Sequence, residues 1–168
     1  VADAETIAHL LKYDSTHGRF SRPVALDSGG IRVGGDAVVL SHEIHPPSIS
    51  WADCGVDIVI DCTGVEFSRA TAAQHLGGTV SKVLLSQPAS VDVDSTIIWG
   101  FNQQALTADM SVISAGSCTS TSLLPVLSLI DDALGITAGI VPTIHSAMND
   151  QPVLDSSPPT ALRPTRAA

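Results

Sequence analysis

Aromatic residues make up only 4% of this 168-residue chain, so any core has to be built from aliphatic side chains. Basic residues are scarce as well. Eight Lys and Arg stand against seventeen Asp and Glu, for a formal net charge of −9. There is no Lys/Arg run to neutralise a phosphate backbone or an anionic lipid surface, so neither nucleic acid nor a membrane is expected as a partner. No apolar run approaches the roughly 20 residues of a membrane-spanning helix. The chain does not open on the basic stretch and apolar core of a signal peptide. The three cysteines, Cys54, Cys62 and Cys118, form no CxxC and no even-numbered framework, which points to a reducing cytoplasmic setting. None of the 13 glycines falls in a G-x-G-x-x-G, the turn that opens a dinucleotide-binding βα unit. Either the chain has no such site or the first βα unit is missing. The chain begins on Val1 and stops after "LRPTRAA", and it reads as a piece of a longer protein.

What is present is a chain with 44% hydrophobic residues, ample for a core. In "DAETIAHLLKYD" the residues Ala4, Ile7, Ala8 and Leu11 fall at helical spacing behind Asp3, which predicts a capped amphipathic helix. "STHGRF" reads as a polar loop. "IRVGGDAVVL" places β-rich runs on either side of Gly34-Gly35-Asp36 and predicts a hairpin. "VDIVIDCTG" is β-branched without alternation, as in a parallel strand buried on both faces. "SRATAAQHLGG" follows as a helix closed by Gly77-Gly78, and "KVLLSQP" is a strand stopped by Pro88. "STIIWGF", "MSVISA" and "GIVPTIHSAM" are further strand candidates. The longest helix is predicted over Leu123–Leu134, with Pro125 near its start. The end of the chain is a proline-rich loop. This alternation of strand and helix predicts an α/β fold with a doubly wound parallel sheet.

Cys118 sits in "SAGSCTSTS", small hydroxylated residues just ahead of an apolar helical run. Unpaired N–H groups at a helix start stabilise a thiolate. A free cysteine is as readily a small buried hydrophobe, and the residue pattern leaves both readings open. His145, 27 residues on in "PTIHSAMNDQ", is a partner that could lower the thiol pKa and carry a proton, or a histidine held for structure. Thr63 and Gly64 of "CTG" follow the best strand, where ligands of open α/β sheets bind. Cys62 is expected to be buried in that strand. His42, Glu43 and His45 of "SHEIH" read as a solvated loop rather than a metal site. Asp92, Asp94, Asp131 and Asp132 read as solvated surface, and Asp61 as a carboxylate in need of hydrogen bonds.

Taken together, "YDSTHGRF", "DCTGV", "SCT", "TIHSAMNDQ" and "LRPTRAA", in this order and spacing, resemble the glyceraldehyde-3-phosphate dehydrogenase superfamily. "HSAM" and "TRAA" resemble most its erythrose-4-phosphate dehydrogenase branch. The resemblance implies an incomplete Rossmann-type NAD-binding domain over residues 1–117, running into the start of an α+β catalytic domain over residues 118–168. It implies an NAD-dependent oxidation of a small sugar phosphate aldehyde, with Cys118 as nucleophile and His145 as its activating base. Ser117 and Thr119 would bind substrate or phosphate. Thr63, Gly64 and Ser86 would lie beside the NAD ribose and adenine, and Asn149 near the nicotinamide. Arg166 would sit in a basic loop directed at a neighbouring subunit's cofactor. No metal is implied; a cytoplasmic homotetramer is. The usual S-N-A-S-C-T-T-N-C loop departs here at Ala115, Gly116, Ser120, Thr121 and Ser122, losing two side-chain amides and a second cysteine. With no G-F-G-R-I-G-R loop before Val1 and little of the catalytic domain after Cys118, the isolated chain is expected to bind NAD weakly and turn over little. A phosphorylating glycolytic-type enzyme and a non-catalytic truncated paralogue are the competing expectations.

Overall fold

The Asp3 carboxylate accepts the Thr6 N–H at 2.7 Å and caps helix α1, Ala4–Lys12, in the computed structural model, which describes residues 2–15, 17–64 and 68–145. The chain divides into two compact units after Ser50. In the first, "STHGRF" is not wholly loop. Strand β1 (Tyr13–Asp14), just before it, pairs antiparallel with β2 (Gly18–Arg19) inside it. Strands β3 (Val24–Asp27), β4 (Gly30–Val33) and β5 (Asp36–Val39) then form a three-stranded antiparallel meander. The predicted hairpin is β4–β5. Val33 pairs with Asp36 across Gly34 and Gly35, whose φ values of +59° and +104° are left-handed, the conformation a two-residue hairpin turn demands. Arg22 ties the meander by donating to Asp36 at 2.6 Å and to the Val33 carbonyl at 3.1 Å. Val24 and Ile31 are the buried hydrophobics of this unit.

The second unit holds the parallel sheet. Its strands are β6 (Ile58–Asp61), β7 (Lys82–Leu85), β8 (Ser95–Thr96) and β9 (Val112–Ser114), in the order β6-β7-β9-β8 with every pairing parallel. Helix α2, Arg69–Ala72, is capped by the Ser68 side chain and tightens into a 3-10 turn over Ala73–His75. It is shorter than the helix predicted up to Gly77. The core lies on one face of the sheet, where Ala72 packs with Val83, Leu85, Val93 and Val112. The opposite face is open. Ile58 and Ile60 are 57% and 61% exposed, against the expectation of a strand buried on both sides. The apolar partners supplied by α2 and the segment before β8 all meet the Val59 side of the sheet. On the open side Ile58, Leu84, Trp99, Leu106, Met110 and Ile113 line an apolar hollow of about 640 Å³.

Asp94 is not solvated surface either. Its carboxylate accepts from Arg69 Nε at 2.8 Å and from the Ser111 and Val112 amides at 2.7 and 2.9 Å. These bonds pull its pKa down to about 2. Helix α3 runs Cys118–Leu134, five residues longer at its N-terminus than predicted. Pro125 therefore lies inside the helix rather than near its start, and its missing N–H leaves the Thr121 carbonyl without a helical donor. Over the described part of "GIVPTIHSAM", residues 139–145, the expected strand does not form: Gly135–His145 carries neither strand nor helix. Pro142 cannot donate to a ladder. No described helix is long and apolar enough to cross a membrane.

Candidate functional site

Parallel pairing puts the carboxyl ends of the strands on one side. Asp61, Leu85 and Ser114 are register neighbours, so the residues that follow them share one rim. After β6 come Cys62, Thr63 and Gly64; after β7, Ser86; after β9, the loop to Cys118. Main-chain bonds stitch the rim together, Ser86 N–H to the Asp61 carbonyl at 2.9 Å and Ala115 N–H to the Leu85 carbonyl at 2.8 Å.

The cysteine loop is braced by small hydroxyls. Ser114 is fully buried, donates to the Gln87 carbonyl at 2.8 Å and accepts from the Gly116 amide at 3.0 Å. Gly116 has φ +72° and lies so close to Ile98 that an added Cβ would stand 2.5 Å from its Cδ1. Ser117 is the N-cap of α3, its Oγ accepting the Ser120 amide at 3.1 Å. Thr121 donates its hydroxyl to the Ser117 carbonyl at 3.0 Å. A hydroxyl at 121 therefore ties the helix start to the loop. Beside this turn Ser117, Ser120, Asn102, Phe101 and Leu124 line a cavity of about 330 Å³.

Cys118 is the first residue of α3, and its Sγ lies 3.2 Å from His145 Nε2. The structure thus brings together two residues far apart in sequence. The thiol is exposed, not a buried hydrophobe. The His145 hydrogen bond lowers its pKa; desolvation opposes it, and the imidazole charge and the Thr119 amide and hydroxyl add to the lowering. Either the thiol donates to a neutral ring or a protonated ring donates to the thiolate. Thr119 stands next to the thiol with its side chain half-buried.

Thr63 and Gly64 lie exposed beyond β6, and Ser86 exposed beyond β7. Thr63 Oγ1 donates to Asp61 Oδ1 at 2.7 Å, and Ser86 Oγ to Gln87 Oε1 at 3.1 Å. Cys62 is exposed just past the strand end, a correction to the buried position expected for it. The strand stops one residue before it. Asn149 and Arg166 lie outside the described residues. His42, Glu43 and His45 are exposed, and no described group of three His, Cys, Asp or Glu could hold a metal.

Sequence reasoning missed His75. It is buried at 7% exposure, with Asp61 Oδ2 3.8 Å from its Nε2. The signal was its position three residues after the fully buried Ala72, on the same side of the turn.

A parallel α/β sheet with hydroxyl side chains on its carboxyl rim, and a paired thiol and imidazole at the start of the helix that follows β9, is a Rossmann-type fold equipped for thiol chemistry. Residues 1–69 match the family model of the glyceraldehyde 3-phosphate dehydrogenase NAD binding domain, and residues 117–168 that of its C-terminal domain. Together the matches cover more than two thirds of the chain, which belongs to the glyceraldehyde-3-phosphate dehydrogenase superfamily. It is an α/β chain of an oxidoreductase family, with a Rossmann-type region leading into a catalytic domain, and NAD is its cofactor. The rim fits that group. Gly64, at φ +74° with nothing within 4 Å of where a Cβ would sit, leaves main chain open to close approach. Thr63 and Ser86, each already donating its proton, keep lone pairs for ribose hydroxyls.

Proposed function

We propose that the chain carries the nucleophile and base of an NAD-dependent aldehyde dehydrogenase that works through a cysteine thioester, with D-erythrose 4-phosphate as substrate and 4-phosphoerythronate as product. One observation carries the chemistry: the Cys118 Sγ to His145 Nε2 distance of 3.2 Å at the start of α3. The thiolate adds to the aldehyde carbon, forming the C–S bond, and the carbonyl oxygen takes up a proton. His145 holds that hydroxyl proton and removes it as the carbon is oxidised. Bound NAD⁺ supplies the two-electron acceptor that turns the hemithioacetal into a thioester. Ser117 and Thr119 flank the thiol as binding groups for the sugar phosphate. Thr63, Gly64 and Ser86 would hold the cofactor's ribose side, and the family resemblance assigns Asn149 to its nicotinamide side. Water then adds to the thioester, the C–S bond breaks, and His145 returns the proton to Cys118. The erythrose branch rests on "HSAM" and "TRAA". The same resemblance supports a cytoplasmic homotetramer with catalytic-domain sequence beginning at Cys118.

Thiol labelling tests the pair. All three cysteines are exposed, so differences in alkylation rate report thiolate character rather than access. With iodoacetamide at pH 7, Cys118 is expected to label well ahead of Cys54 and Cys62, and His145→Asn to bring it level with them. Equal rates in the unaltered chain would overturn the reading and favour a paralogue that binds without turnover, which the altered cysteine loop also suggests.

The substrate is tested by NADH formation. Turnover of erythrose 4-phosphate without added phosphate supports the hydrolytic branch. Turnover of glyceraldehyde 3-phosphate that requires phosphate assigns the glycolytic type instead.

A further inference from the structure

Beneath the rim lies a buried imidazole to which the proposed chemistry gives no task. His75 ends the 3-10 turn after α2, and neither of its ring nitrogens has a hydrogen-bond partner. Asp61, 6% exposed, faces it from the end of β6. The other ring neighbour is Trp51, with centroids 5.7 Å apart and a buried indole N–H that also lacks a partner. Among the described residues Asp61 is the one charged group acting on the ring. The two oxygens of Asp61 face different ways. Oδ2 lies 3.8 Å from His75 Nε2, too far for a hydrogen bond. Oδ1 accepts the Thr63 amide at 2.9 Å, the Thr63 hydroxyl at 2.7 Å and Gln87 Nε2 at 3.4 Å.

We propose that His75 is a positioning residue for the cofactor rim, acting through the Asp61 carboxylate on Thr63 and releasing Thr63 from its present place when the ring takes up a proton. The proposal rests on the reading of Thr63 as a ribose contact. With the ring neutral, Asp61 is committed through Oδ1 to Thr63. A proton added from solvent at Nε2 puts a cation against a buried carboxylate. A charge-assisted bond there closes to about 2.8 Å, so the carboxylate must move by about 1 Å toward the ring. Oδ1 moves with it and carries or breaks both Thr63 bonds. Burial sets where this happens: it lowers the His75 pKa below the ordinary imidazole range, and the Asp61 charge opposes it without overcoming it. At neutral pH the rim is therefore in the Thr63-bound arrangement, and acid opens it.

The test is a titration of the ¹⁵N-labelled 168-residue chain by NMR, following the His75 ring nitrogens and the Thr63 amide together. The expected result is a His75 midpoint below the ordinary value of about 6.5 and a Thr63 amide shift with that same midpoint. The Thr63 shift should vanish in His75→Gln, which cannot titrate. It should also vanish in Asp61→Asn, whose amide keeps an acceptor for Thr63 but loses the charge. A Thr63 amide that stays still through the His75 midpoint overturns the proposal, as does a Thr63 shift that persists in His75→Gln. A second arm titrates NAD above and below the midpoint, with a several-fold loss of affinity expected on the acid side. The Thr63 response needs no cofactor. If Thr63 follows His75 while NAD perturbs no rim residue at any pH, the coupling stands and the ribose assignment falls.

Discussion

Gly116 shows how much of the site hangs on single side chains, in this case on the absence of one. Its φ of +72° is costly for any L residue, and the space where a Cβ would stand is taken by Ile98, itself buried. Gly116→Ala is therefore expected to destabilise the fold by about 1–3 kcal/mol, read from urea denaturation. It should also slow Cys118 alkylation, because Ser117 and Cys118 are displaced with the loop. Unchanged stability would mean that the loop relaxes freely, and that the hydrogen bonds at Ser114 and Thr121 do not fix it. The same residues mark the limit of sequence reading. That Cys118 lies on the approach to a helix was legible from the apolar run that follows it. That it meets His145 was offered by the residues only as one of two readings, because a contact across 27 residues leaves no local pattern, and the family resemblance favoured the pairing. Asp94 and Asp92 looked like solvated acids in a polar stretch, yet Asp94 accepts the Ser111 and Val112 amides at the start of β9 and Asp92 accepts the Arg69 amide. A carboxylate's partners are set by tertiary approach, which its neighbours in sequence do not encode.

Among the elements, those closed by local chemistry were the readable ones. Helix α1 has its Asp3 cap and its helical spacing, and the β4–β5 hairpin has two glycines able to take positive φ. Both are decided within a dozen residues. Strand β3 was passed over although Pro23 and Ser28-Gly29 bracket it, because its burial is one-sided and only Val24 is fully covered. Helix α3 was drawn too short for a physical reason. Ser and Thr favour caps and turns in isolation, so Thr119 to Ser122 read as loop. In the folded chain their hydroxyls bond back within the helix, Thr121 to Ser117 and Ser122 to Thr119, and extend it to Cys118. That extension is what puts the thiol at the helix start, so the misjudged boundary falls at the functional position. Strand β6 was identified correctly but its burial was not. Composition shows that Ile58 and Ile60 are apolar, while cover over them has to come from other elements, which alternation cannot foresee.

At the scale of the whole chain the two units differ in how much core they own. The segment up to Ser50 buries Val24 and Ile31, under a short helix none of whose residues is buried. The second unit buries Ala72, Val83, Leu85, Val93 and Val112 as one cluster, with Val59, Val80 and Ile98 also buried. Apolar area removed from water is the main term holding structure against chain entropy, and a small unit with little of it opens locally at low cost. Native-state hydrogen exchange should therefore be layered. Val83, Ser86 and Ala115, whose amides bond across the parallel sheet to Ser111, Asp61 and Leu85, are expected to exchange slowest. Gly34 and the amides of β4 and β5 should exchange at least about tenfold faster, a gap of about 1.4 kcal/mol in opening free energy. Equal protection in both regions would mean that the β3–β5 meander draws stability from contacts beyond its own two buried side chains. The layering matters for function because the slow amides are the ones beneath the rim. Asp61, Leu85 and Ser114 end the best-supported strands, so Thr63, Ser86 and the cysteine loop are mounted on the part of the molecule that opens last. The thiol and the rim hydroxyls proposed to meet the ribose can then hold their places on the sheet while the meander opens and closes.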